Sequence, residues 1–300
     1  MHLKSFLDYL SYEKKYARHT ITAYKNDIET CHAFLTKNYD VSIDQSHYKD
    51  IRQWIIELVN QGISNRSINR KISSLNTYFK FLIKTQTITV DPLLKHKPLK
   101  VEKKVQVPFS ISEVQSVLKT FNEATDFESS RNLLMIELFY GTGIRRSELI
   151  SLKKADINIP EKRIKVLGKR NKERYLPLLD STILKLEKYS KYRVKVDINN
   201  IEYLFLTKKG TQIYESLVYR TVNNYFKQVS LKIKCSPHVL RHSFATHLLN
   251  EGAQLNAVKE LLGHSSLAAT EIYTHSSLTK LKNVYKNSHP RQKNSKPNYK

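Results

Sequence analysis

Acidic residues are scarce in this sequence. Only 27 Asp+Glu stand against 51 Lys+Arg over 300 residues, a net charge of +24. That excess argues against an enzyme of small anions and for a polyanion partner, of which nucleic acid is the commonest. It is not confined to a tail: residues 1–107 carry +8 and residues 108–300 carry +16, so both halves suit the same polyanion. Cysteine is nearly absent. Cys31 and Cys235 form neither a disulfide framework nor a metal-binding spacing, and they suit a reducing compartment. Long apolar runs are missing as well. Charges interrupt MHLKSFLDYLSYEKKY, which argues against a signal peptide, and no stretch is long enough to span a membrane. The expectation is a cytoplasmic protein with no membrane association. Hydrophobic residues still make up 40% of the chain, enough for a folded core, and the length suggests two domains.

Periodicity divides the chain. RHTITAYKNDIETCHAFL places Ile21, Tyr24, Ile28, Cys31 and Leu35 at helical spacing behind Thr20 as the cap. IRQWIIELVNQG predicts a second helix stopped by Gly62. SNRSINRKISSLNTYFKFL predicts a third, with Ile68, Ile72, Leu75, Phe79 and Leu82 as its apolar stripe. Its other side carries Arg66, Arg70 and Lys71, a basic face that is either merely solvated or grips DNA backbone and base edges. Residues 1–90 therefore read as an all-helical domain. Residues 91–107, with prolines, lysines and no period, read as a linker. A second domain follows over 108–291. ESSRNLLMIELFY is an apolar helix ended by Gly141 and Gly143, IRRSELISLKKADI opens another, and RIKVLGKRNKERYLPL is a strand–turn–strand. Residues 292–300 form a basic tail.

SPHVLRHSFATHLLNEG is the most informative stretch. Ser236 suits an N-cap, Pro237 the first helical position and Gly252 the stop. Helical spacing then gathers His238, Arg241 and His242 on one face, with Leu240 and Phe244 turned to a core. Other basic groups ask to be read with it. Arg145 follows a Gly-rich turn, Lys169 follows Gly168 on the hairpin, His264 follows Gly263, and Tyr273 lies nine residues further on. Each has a plainer reading. Arg145 could merely pair with Glu148, Lys169 could belong to an exposed tip with Arg170, Lys172 and Arg174, His264 could cap a helix, and Tyr273 is one of 18 tyrosines. His238 and His242 have a zinc-like spacing but lack an adjacent Glu and a third ligand. Taken together the groups fit transesterification at a DNA phosphodiester. Two guanidinium forks clamp the non-bridging oxygens. A tyrosine supplies the nucleophile, a lysine protonates the leaving oxygen, and histidines orient the phosphate. No metal or other cofactor is needed.

GTGIRRSEL, GKRNKERYLPL, PHVLRHSFATHLL and LLGHSSLAATEIYTH resemble, in order and spacing, the catalytic boxes of the tyrosine recombinases, and the resemblance spans nearly the whole chain. By that resemblance Arg145 and Arg241 are the arginine pair, Lys169 the hairpin lysine, His238 and His264 the two histidine positions, and Tyr273 the nucleophile that forms a 3′-phosphotyrosyl bond. It implies a mainly α fold with a small β-sheet: a helical core-binding domain and a mixed α/β catalytic domain forming a C-shaped clamp on duplex DNA. SINRKISSLNTYFKFL, the closing HPR and the compact length are most similar to the Xer recombinases, which resolve chromosome dimers. That implies action as a homo- or hetero-tetramer on DNA, with a paralogous recombinase and a DNA translocase as further partners. Two departures stand out. Arg170 replaces a glycine common in the family, and the tail after Arg291 runs past the usual end. The alternatives are a mobile-element integrase or invertase with the same chemistry, a non-catalytic architectural DNA-binding protein, and a metal-dependent nuclease.

Overall fold

A computed structural model of the chain describes residues 2–102, 106–120, 124–168, 172–232 and 234–263, together with Ser288 and Pro290. It divides into two compact units, 1–104 and 105–300.

The first unit holds α1 (Leu3–Asp8), α2 (Arg18–Tyr39), α3 (Tyr48–Asn60) and α4 (Asn65–Lys84). The predicted stripe of α4 is buried at all five positions, among Phe6, Ile28, Leu35 and Trp54. Gly62, at φ +73°, turns the chain after α3, and the Ser64 hydroxyl accepts the Ser67 N–H to start α4. The expected Thr20 cap is corrected. α2 begins at Arg18, and the Ala17 carbonyl takes the N–H groups of Thr20 and Ile21, so Thr20 lies within the first turn. Residues 91–100 lie against this unit. Leu93 is buried in its core, the Asn69 side chain bonds both the N–H and the carbonyl of Leu99, and Asn65 donates to the Lys100 carbonyl.

The second unit holds α5 (Ile111–Thr120), α6 (Phe127–Thr142), α7 (Arg146–Ser151), β1 (Ile157–Asn158), β2 (Arg163–Leu167), β3 (Glu173–Pro177), α8 (Asp180–Arg193), α9 (Glu215–Lys227), α10 (Pro237–Asn250) and α11 (Leu255–Leu262). α6 is the central helix, packed by α8 and α10 and buried almost all round, as its apolar residues over 133–140, interrupted only by the buried Glu137, require. It runs through Gly141 rather than ending there and stops at Gly143, which takes φ +63°. The strands form an antiparallel sheet in the order β1-β2-β3, with Ile164 opposite Leu176 and Val166 opposite Arg174. Inward positions alternate along β2 and β3, so Arg174 shares the buried face with Leu176.

Candidate active site

The C-terminal ends of α6 and α11 present carbonyls with no partner inside their own helices, at the negative end of each helix dipole. Both arginines of the predicted pair bind there. Arg241, buried on α10, donates from Nη1 to the Gly143 carbonyl and from Nη2 to the Leu262 carbonyl at 2.6 Å. Arg145, the residue before α7, donates from Nη2 to the Gly263 carbonyl, also at 2.6 Å. The two guanidinium groups thus sit on consecutive carbonyls. Burial and the neighbouring Arg145 lower the Arg241 pKa to about 10, still well above neutrality, so Arg241 remains a cation.

The plainer reading of Arg145 as a partner of Glu148 is also realised. Glu148 Oε1 accepts from Arg145 Nη1 at 2.7 Å, and Oε2 accepts the Arg145 backbone N–H at 2.9 Å, capping α7. One interaction does not exclude the other, because a guanidinium has five N–H donors. Glu148 is buried. Burial acts to raise its pKa, but Arg174 and Arg145 outweigh it and hold the carboxyl at about 2.

Arg174 corrects a sequence expectation. It is not part of an exposed basic tip but is 4% exposed, with Nη1 and Nη2 each 2.8 Å from a Glu148 oxygen and Nε donating to the Leu261 carbonyl at 2.9 Å. The strand period could have found it, since Leu176 faces inward two residues on.

α10 forms as expected, with Ser236 accepting the Val239 N–H and Pro237 at its start. His238 stands three residues before Arg241 and is solvent-facing, as is His242. Partial shielding, Arg241 and His242 lower the pKa of His238, which is therefore neutral at pH 7. His247, which the sequence reading passed over, is buried lower on the helix, with Nδ1 3.0 Å from the Tyr140 hydroxyl. Lys169, His264 and Tyr273 lie outside the described residues. The residues before Lys169 and before His264 do reach the site. Gly168 closes the hairpin through its N–H to the Lys172 carbonyl, and Gly263 supplies the Arg145 acceptor. Among the described residues no three His, Cys, Asp or Glu side chains gather as a metal would need.

In the first unit, Arg66 and Arg70 are exposed on α4 and Lys71 is half-buried. Arg70 and Lys71 share Asp27, a buried residue of α2. Arg70 binds both its oxygens at 2.5 and 2.9 Å, and Lys71 binds Oδ1 at 3.1 Å. Burial acts to raise the Asp27 pKa, but hydrogen bonds from Arg70, Ser74 and Lys71 leave it below the ordinary value.

Two family models match the chain: "Phage integrase family" over residues 109–280 and "Phage integrase, N-terminal SAM-like domain" over residues 3–86. The chain belongs to the phage integrase family, the tyrosine recombinases. Relatives of this recombinase include the protein named tyrosine recombinase XerC from Oceanobacillus iheyensis, 36% identical with 99% of this chain and 98% of that one covered. The XerC of Anoxybacillus flavithermus is also 36% identical, with 96% and 97% covered. Among solved structures, the XerH site-specific recombinase in a post-cleavage complex with palindromic difH substrate matches with a TM-score of 0.70 at 23% identity, covering 89% of this chain and 79% of that one. The Tn1549 transposon integrase with circular intermediate DNA matches at 0.68 and 20% identity, covering 97% of both chains. At these identities the two structures establish a shared fold: mainly helical, with a small sheet in the catalytic unit.

Proposed function

We propose that this recombinase exchanges DNA strands at a specific site through a 3′-phosphotyrosyl intermediate on Tyr273, and that its role is Xer-type resolution of chromosome dimers. The observation that carries the chemistry is the pair of cations, Arg145 and Arg241, seated on the consecutive carbonyls of Leu262 and Gly263. Each carbonyl uses one N–H, leaving further donors on both forks for the oxygens of one phosphate. The Tyr273 oxygen attacks phosphorus as the bond to the 5′ oxygen breaks. Lys169 delivers a proton to that oxygen, giving a free 5′ hydroxyl. His238, neutral at pH 7, and His264 orient the phosphate and take up the tyrosine proton. A 5′ hydroxyl from the partner duplex then attacks the phosphotyrosine and gives its proton to the neutral Lys169; as the new phosphodiester forms, the phosphorus–Tyr273 bond breaks and the tyrosine oxygen regains its proton from the histidines. Phosphodiester energy is conserved, so the chemistry calls for neither ATP nor a metal ion.

The XerC names of relatives at 36% identity over nearly the whole chain support the Xer role. On that reading the working unit is a tetramer on two duplexes, with a paralogous recombinase and a DNA translocase as partners, acting in the cytoplasm. Cys31 and Cys235, both buried free thiols, suit that compartment. Arg66, Arg70 and Lys71 are proposed DNA-binding residues, and residues 1–90 and 108–291 the core-binding and catalytic domains, joined by 91–107 and followed by a tail at 292–300.

Covalent trapping is the test. The protein is incubated in EDTA with nicked duplexes carrying Xer-type sites, and a denaturation-resistant protein–DNA adduct is sought. The adduct should form, vanish in Tyr273→Phe, and form on the order of 10²–10³ more slowly in Arg241→Ala. An equal adduct from Tyr273→Phe would sink the assigned nucleophile. DNA bound without any adduct, even with a paralogous recombinase added, would sink the chemistry.

A further inference from the structure

One buried arginine and one buried carboxylate, Arg174 and Glu148, lie against the pair Arg145 and Arg241 in the catalytic unit. Arg145 and Arg241 are accounted for by the chemistry, and Arg174 is not. Its three nitrogens are all engaged inside the unit, two on Glu148 and one on the Leu261 carbonyl. These contacts run to the parts that hold the other two. Nη1 and Nη2 take both oxygens of Glu148, the carboxylate that also holds Arg145. Nε holds the Leu261 carbonyl, one residue before the carbonyl that receives Arg241 and two before the one that receives Arg145. The guanidinium plane also lies against Gly263. A Cβ there would come within 3.1–3.2 Å of its Nη1, Cζ and Nε, at a backbone φ of +63° that already favours glycine.

We infer that Arg174 is a positioning residue for strand cleavage, one that fixes the Glu148 carboxylate and the Leu261–Gly263 turn so that Arg145 and Arg241 face one phosphate. This rests on the function proposed above.

Charge accounting gives the reason an arginine stands there. Glu148 is faced at contact distance by Arg145 from the start of its own helix and by Arg174 from β3, with Arg241 of α10 as a more distant cation. With both partners present, Arg145 spends one N–H on the carboxylate and one on Gly263. Without Arg174, Glu148 is a buried anion with one contacting cation, and it draws the whole Arg145 fork onto itself, away from a phosphate. The fork geometry matters separately. A lysine in this place keeps the charge but cannot span both carboxylate oxygens and the Leu261 carbonyl at once.

The arrangement makes a prediction that a merely structural strut does not. In Arg174→Met, Glu148 loses its bidentate partner and stays buried, so its pKa rises. Protonation at mildly acid pH then releases Arg145.

The experiment measures the rate of covalent adduct formation relative to the wild type at each pH, on a nicked duplex where the wild type is trapped, with DNA affinity measured alongside. Arg174→Met should bind this DNA as the wild type does and form adduct about 100-fold more slowly near pH 8. The deficit should narrow to roughly tenfold near pH 5.5, where the released carboxyl is protonated. Arg174→Met/Glu148→Gln, which has no carboxylate to titrate, should show a deficit that does not change with pH. A pH-independent deficit in Arg174→Met, or a loss of rate matched by an equal loss of DNA affinity, would overturn the inference. If Arg174→Met does not fold, Arg174→Lys carries the test: normal DNA affinity with an adduct rate about tenfold down supports the role of the fork, and a wild-type rate overturns it. A wild type that forms no adduct would sink the proposed chemistry and this inference with it. A wild-type adduct with an equal one from both Arg174 variants would sink the inference alone.

Discussion

Glu148 lies in contact with two guanidinium groups, and the linkage between its protonation and folding has a definite sign. The folded pKa, about 2, is below the ordinary 4.5 because Arg174 and Arg145 outweigh the burial penalty. Its stabilisation is therefore complete above the ordinary pKa and is lost as pH falls from about 4.5 toward 2. The shift corresponds to about 3 kcal/mol at neutral pH, with no discount for solvent because the side chain is only 4% exposed. Urea unfolding should therefore show Glu148→Gln well below the wild type at neutral pH and the two converging near pH 2. A gap that persists at low pH would mean the carboxylate's charge is not what holds it. Arg145 and Arg241 were legible in the sequence because glycines and helix spacing flank them, and the structure brings both to one place. Arg174 was legible only in part. A basic hairpin suggests an exposed tip, whereas the two-residue alternation with Leu176 assigns position 174 to the inside. Asp27 carried no local signal, since its partners Arg70 and Lys71 are more than forty residues away in the chain.

At the scale of elements, the site is built from helix ends, and helix ends are where sequence reading was strongest. Gly62, Gly143 and Gly252 all take positive φ beyond the helices they were expected to stop, because glycine alone adopts that conformation without strain. α5 was missed although Ser110 and Glu113 form a capping box, with the Ser110 N–H on Glu113 Oε2 at 2.6 Å and the Glu113 N–H on Ser110 Oγ at 3.1 Å. The S-x-x-E signal was present, but the preceding lysine-rich stretch drew the boundary. Gly143 carries the sharpest consequence. A Cβ there would lie 2.5 Å from the Phe244 ring at φ +63°, combining backbone strain with overpacking. Gly143→Ala should cost about 3 kcal/mol, visible as a lowered Tm. Because the Gly143 carbonyl receives Arg241, adduct formation should fall further than the stability loss explains. An unchanged Tm would mean that the α6–α10 junction yields more readily than its packing implies.

At the scale of the whole molecule, the +24 charge is shared by both units, which implies that DNA affinity is carried largely by phosphate contacts from each. If six to ten phosphates are neutralised, affinity should fall by roughly 10³–10⁵ between 50 and 200 mM salt. On the proposed DNA-binding role of α4, Arg66, Arg70 and Lys71 should contribute unequally. Arg66 is exposed, whereas Lys71 and Arg70 already share the buried Asp27. An ion pair already made must be shared or broken to neutralise a phosphate, so it releases fewer counterions. Arg66→Ala should therefore reduce the slope of log affinity against log salt by about one, and Lys71→Ala by less. The measurement is a binding titration across that salt range with the wild type and both variants. A larger loss in Lys71→Ala would mean that DNA pulls the lysine off Asp27, leaving Arg70 as its sole cation. Slopes unchanged in both variants would mean that this face of α4 does not meet the DNA backbone, and that the charge of the first unit acts through another of its surfaces.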